Sequence, residues 1–209
     1  MKVIFIIEEN EANCSNRLKK RLLSTGFQPV TIYAKPDVGL SDNLQYVKRC
    51  VSLLQTDVLG LIGIGYGGAV AGHLLAESER FRAAVLIGAL TNPATAYGTG
   101  CGVISPTVGK NFRMLEYLSS LTDESVVQYC DEIHTPILLL HGLQDEVYGF
   151  EQAEQLFTSI KERNPASDLR MVVFPKAGHE LPRGHYAERC EDEVIRWFTS
   201  KMNGGMVSA

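Results

Sequence analysis

Six short apolar runs, continuous rather than alternating, recur along the chain: VIFII at 3–7, PVTIYA at 29–34, VLGLIG at 58–63, AAVLIG at 83–88, ILLLHG at 137–142 and RMVVFP at 170–175. A strand that is apolar at successive positions must be covered on both faces, which is the situation of a parallel sheet with helices on either side. The stretches between these runs carry helical patterns: CSNRLKKRLLSTG ending at Gly26, DNLQYVKRCVSLLQ, GGAVAGHLLAESERF, FEQAEQLFTSIKER and HYAERCEDEVIRWFTSKM. Such alternation predicts a doubly wound sheet with right-handed crossovers. The expected fold class is therefore α/β: a three-layer α/β/α sandwich around a mostly parallel sheet of about six strands.

The alternation breaks once, at 91–134. There a Gly/Pro/Thr-rich stretch, NPATAYGTGCGVISPTVG, precedes an expected short helix around Asn111 to Leu121. A connection of that length in a compact domain reads as a lid or binding loop. One domain is expected over 1–200, with 201–209 as a disordered tail. With 209 residues, 45% of them hydrophobic, the chain is long enough to hold a core without a metal or disulfide staple.

Charge and cysteine usage exclude several classes. Lys and Arg number 20 against 24 Asp and Glu, and no basic block exceeds the triplet Lys19-Lys20-Arg21, so neither nucleic acid nor an anionic membrane is an expected partner. The apolar start Val3 to Ile7 is too short for the apolar region of a signal peptide or for a membrane span, and the expected location is cytoplasmic. Five cysteines, Cys14, Cys50, Cys101, Cys130 and Cys190, form no C-x-x-C pair, so reduced structural thiols are expected, and no metal or cofactor. Cys101, within GTGCG, is carried forward as a ligand-binding candidate.

The sharpest local feature is GIGYGGA, Gly63 to Ala69, between a strand and a helix. A strand, tight turn and helix N-terminus present unpaired N–H groups and a helix dipole to whatever lies above them. One reading is G-x-G-x-x-G on Gly63, Gly65 and Gly68, the dinucleotide-binding fingerprint. That fingerprint normally opens the first βαβ unit and needs an acid after the next strand, where this chain has Leu90-Thr91-Asn92. The other reading is a nucleophile elbow, G-x-Nu-x-G, with small neighbours and Gly65 in the central place.

Downstream, His141-Gly142-Leu143-Gln144-Asp145 follows the fifth strand and Gly178-His179-Glu180 the sixth. With G-x-G-x-G-G before them, these motifs resemble the α/β-hydrolase superfamily, and more closely its small dienelactone hydrolase and prolyl-oligopeptidase-like members, over roughly 58–198. The order elbow, acid, histidine is that of the fold. The resemblance implies that Asp145 is the triad acid, His179 the triad base and Gly65 the substituted nucleophile position. It also makes the backbone N–H of Tyr66 an oxyanion donor, and His141 a support for the acid loop. A second oxyanion donor would come from the loop after the first strand, which here reads Ile7-Glu8-Glu9-Asn10-Glu11. Carboxylates there oppose a developing oxyanion unless they point away. His73 and His185 are expected to serve packing or the surface.

Glycine offers no nucleophile, so a Ser-His-Asp acyl-enzyme route cannot run at Gly65. Several readings stay open. The chain is a pseudo-hydrolase binding a small acyl or carbonyl ligand, or a weak hydrolase in which His179 and Asp145 activate water directly, where residual catalysis of about 10³-fold over water is possible. Alternatively it is an inactivated Ser-to-Gly form of a serine hydrolase, a protein recruiting Cys101 or Ser105, or a dinucleotide-binding domain.

Overall fold

The structure, a computed structural model, describes residues 1–9, 16–56, 59–93, 95, 125–181 and 183–203. Six strands form one sheet: β1 (Lys2–Glu8), β2 (Phe27–Tyr33), β3 (Leu59–Ile64), β4 (Phe81–Ile87), β5 (Ile137–Gly142) and β6 (Leu169–Phe174). Their order is β2-β1-β3-β4-β5-β6, and every neighbouring pair is parallel. The expected α/β sandwich is the one found, and each apolar run is a strand to within a few residues.

Burial explains the composition of the runs. All six residues of β3 and all six of β5 are buried, whereas the edge strands β2 and β6 are mostly half-exposed. Pro29, which lacks an N–H, sits in edge strand β2, where a missing ladder bond is tolerated.

Among the described residues five helices cover the sheet: α1 (Asn16–Ser24), α2 (Leu40–Ser52), α3 (Gly67–Glu77), α4 (Glu151–Arg163) and α5 (Ala187–Met202). Side chains of odd and even parity along β1 divide the core in two. Val3, Phe5 and Ile7 face a cluster built with α2, α3 and α4; Ile4 and Ile6 face one built with α1 and α5. Helix α3 is buried from Gly67 to Leu75, apolar all round because it contacts strands on one side and α2 and a 3₁₀ segment, Val126–Glu132, on the other. Helix α1 ends where Ser24 and Thr25 turn their hydroxyls back to the Arg21 carbonyl and Gly26 adopts φ 85°.

On the opposite layer, the buried Glu191 of α5 ties α1 down through Arg17 and Arg21, each at 3.1 Å. Helix α5 runs through Met202, whose side chain is buried, so the helix extends two residues into the segment expected to be a tail. Of the 91–134 connection, the described part ends in the 3₁₀ segment, anchored by the Val126 N–H on the Thr91 carbonyl at 2.9 Å. The expected helix around 111–121 and candidate Cys101 lie outside the described residues. Among the described residues no helix is long and apolar enough to cross a membrane.

Candidate active site

In a parallel sheet all strands end on one side, and the strand order reverses between β1 and β3, which opens a crevice there. The predicted site residues stand along that edge. Gly65 follows β3, Asp145 follows β5 and His179 follows β6.

The turn after β3 is rigidly held. Gly65 has φ 58°, in the left-handed region that glycine adopts at little cost, as an elbow demands. Its N–H donates to the Ile87 carbonyl at 3.1 Å, and its own carbonyl accepts from Gly68 and Leu90, both at 3.0 Å. Close approach fixes the rest of the motif. A methyl group on Gly67 would fall 2.1 Å from the Ile7 carbonyl oxygen, and one on Gly68 2.2 Å from the Ala89 Cβ. Tyr66 points its ring into the core, with its hydroxyl 3.4 Å from the Asn43 amide nitrogen, and so serves the site by its backbone alone.

The structure brings Asp145 and His179 together. Asp145 is buried, and its Oδ1 accepts the N–H groups of Val147 and Tyr148, both at 2.9 Å. Its Oδ2 accepts from His179 Nδ1 at 3.0 Å. His141 Nε2 carries a proton, because it donates to the Tyr148 carbonyl at 2.7 Å, and it lies 3.4 Å from Asp145 Oδ2. His141 thus supports the acid loop. His73 packs edge-on against Tyr129, and His185 packs against Tyr186.

Electrostatics follow from this geometry. Burial works to raise the Asp145 carboxyl, but the hydrogen bonds and charges of His141 and His179 outweigh it and hold the group well below the usual carboxylate range. For His179, burial disfavours the imidazolium, yet the hydrogen bond and charge of Asp145, reinforced by the charge of Glu9 and opposed by that of Arg183, raise its pKa overall. Among the described residues, His179 Nε2 has no hydrogen-bond partner.

The loop after β1 supplies the unexpected part. Glu8 and Glu9 are adjacent in an extended chain and point to opposite faces. Glu8 turns into the protein, where it pairs with Lys19 at 3.2 Å. Glu9 turns into the site: its Oε1 accepts the Tyr66 N–H at 2.9 Å and the Tyr148 hydroxyl, also at 2.9 Å. The donor that the resemblance assigns to a developing oxyanion therefore already holds a carboxylate. A methyl group on Gly65 would stand 3.1 Å from the same Oε1 and 3.5 Å from the Tyr148 ring. That ring lies edge-on to His179, centroids 5.2 Å apart. The acidic character of this loop was legible in the sequence; the role of Tyr148, which meets Glu9 across 139 positions, was not. Among the described residues no cluster of His, Cys, Asp and Glu could hold a metal ion.

Comparison with known proteins agrees with the fold. A sequence profile of the prolyl oligopeptidase family matches residues 25–205. An uncharacterized peptidase of Bacillus subtilis, YuxL, is 33% identical over 144 residues, covering 67% of this chain and 22% of that protein. The human acylamino-acid-releasing enzyme is 27% identical over 172 residues, covering 76% of this chain and 23% of its own length. The chain thus spans less than a quarter of the length of these relatives. Among solved structures, an acylaminoacyl peptidase of Pyrococcus horikoshii superposes with a TM-score of 0.78 at 16% identity, over 100% of this chain and 38% of that one. An esterase of Pyrococcus furiosus gives a TM-score of 0.76, also at 16% identity, over 96% of this chain and 82% of that one.

Proposed function

Since the chain belongs to the prolyl oligopeptidase family of α/β-hydrolases, we propose that it has kept the family's cleft and left its acyl-enzyme chemistry, and that it binds a small acyl or carbonyl compound above Gly65. One observation carries the reading: the Tyr66 N–H, beside a position with no nucleophile, is engaged by the Glu9 carboxylate. Covalent acyl transfer needs both a nucleophile and a free oxyanion donor, and two separate features oppose it here. Glu9 also disfavours the dinucleotide reading, because a carboxylate at the N-terminus of α3 repels a pyrophosphate.

The intact His179–Asp145 pair favours a second, weaker activity, direct activation of water. A base must be neutral to take a proton, and the carboxylates near His179 favour its charged form. Such turnover should rise with pH as His179 loses its proton and should vanish in His179→Ala.

The test restores what is missing in two steps. Gly65→Ser alone should leave hydrolysis of p-nitrophenyl acetate near background, because the new side chain meets Glu9 Oε1. Gly65→Ser combined with Glu9→Ala should release a stoichiometric burst of nitrophenolate as the acyl-enzyme forms. Covalent labelling of the unmodified chain by a fluorophosphonate would overturn the proposal. So would a folded double variant with no burst, since more than these two groups would then differ from a working hydrolase.

A further inference from the structure

Glu9 is held by donors that do not belong to it alone. The Tyr66 N–H and the Tyr148 hydroxyl converge on one oxygen at 2.9 Å each, and His179 lies close enough for its charge to be coupled to that carboxylate. Among the described residues, the groups that meet the Glu9 head group are hydrogen-bond donors, and the nearby His179 ring is itself paired with Asp145, so the place Glu9 fills suits a single carboxylate. Glu9 is partly exposed, so its head group can return to water without the full penalty of stranding a buried charge. Once it does, the space that a side chain at position 65 would fill is open, because glycine leaves it empty.

Resting on the binding function proposed above, we propose that Glu9 is an exchangeable internal ligand, and that the external ligand is a small molecule ending in a carboxylate. That carboxylate takes the place of the Glu9 head group on the Tyr66 N–H and the Tyr148 hydroxyl. The exchange preserves charge: one carboxylate leaves and one enters, so the negative charge near His179 is unchanged. A neutral ester carbonyl would remove the negative charge that Glu9 places near His179 and leave Asp145 alone there. A dianionic phosphate would add a second negative charge beside Asp145.

The experiment uses acetate as the probe and acetamide as its neutral counterpart. The His179 ring is followed by NMR through a pH titration, alongside the thermal midpoint of unfolding. The charged groups around that ring are Asp145 after β5, Glu9 after β1 and Arg183 ahead of α5, with His141 reaching it through Asp145. Glu9→Ala should lower the His179 titration midpoint. Acetate should raise it again saturably, and acetamide should not. Adding Tyr148→Phe should weaken acetate about tenfold, the loss of one hydrogen bond to a charged group. In the unmodified protein acetate should bind at least about tenfold more weakly, since Glu9 competes for the same donors.

Equal acetate responses in the unmodified protein and Glu9→Ala would overturn the proposal. So would an acetamide response equal to that of acetate, or no acetate response in folded Glu9→Ala. If Glu9→Ala does not fold, the isosteric Glu9→Gln must still lower the His179 midpoint, and an unchanged midpoint refutes the coupling. Acetate binding and the nitrophenolate burst are separate readouts, so failure of the carboxylate proposal is distinguishable from failure of the binding function on which it rests.

Discussion

Gly67 contributes to the site by having no side chain. It begins α3 at the point where that helix passes over the end of β1, and any Cβ would press on the Ile7 carbonyl, which is backbone and cannot step aside. Gly67→Ala should therefore destabilise the fold by about 1–3 kcal/mol, the range for forced overpacking, as read by urea denaturation. At this scale the sequence was legible where motif and chemistry lie close together. Asp145 and His179 each follow a strand of the sheet, and position 65 sits in a turn whose form is dictated by glycines. Glu9 was legible as a charge but not as a direction. Which of Glu8 and Glu9 enters the site depends on strand parity relative to the neighbouring strand, and that is a property of register rather than of residue type.

The elements themselves were readable because each obeys one rule: fully covered strands are apolar throughout, and helices with one wet face are periodic. Helix α5 shows how far a single element can reach. Phe198 is fully buried, packs on Phe27 with ring centroids 6.2 Å apart, and lies close enough to Gly60 that a methyl group there would stand 2.7 Å from its ring. Phe198→Ala should cost about 3–5 kcal/mol by the same denaturation measurement, because the cavity would lie among β2, β3 and α5. The 3₁₀ segment at Val126–Glu132 was not legible. Its seven residues are too few for a helical period, and its position is set by distant partners, the Thr91 carbonyl and the α3 residue Gly72, on whose face Val126 packs.

Across the whole molecule, the groups that define the site hang from β1, β3, β5 and β6, so its electrostatics report on the complete sheet. The Asp145 carboxyl is depressed in the folded state, and its contribution to stability is present above the unfolded carboxyl value near 4 and lost as pH falls through the lower folded value. The pKa of His179 is raised, so its contribution is full below about 6.5 and is lost as pH rises through the folded value. Thermal stability should thus be greatest between about pH 4.5 and 6.5. His179→Ala should flatten the alkaline side of that profile, and an unchanged profile would show that the histidine is not coupled to the fold. The β1–β3 ladder adds a consequence for rates. It ends by pairing Ile7 with Gly63, and just beyond it the Glu9 carboxylate lies against Gly65. The strand that leads to Glu9 is therefore paired within the buried part of the sheet as far as Ile7. Under the exchange proposed above, the carboxylate would leave by rotation about its own side-chain bonds, a step of nanoseconds or so once its hydrogen bonds are broken.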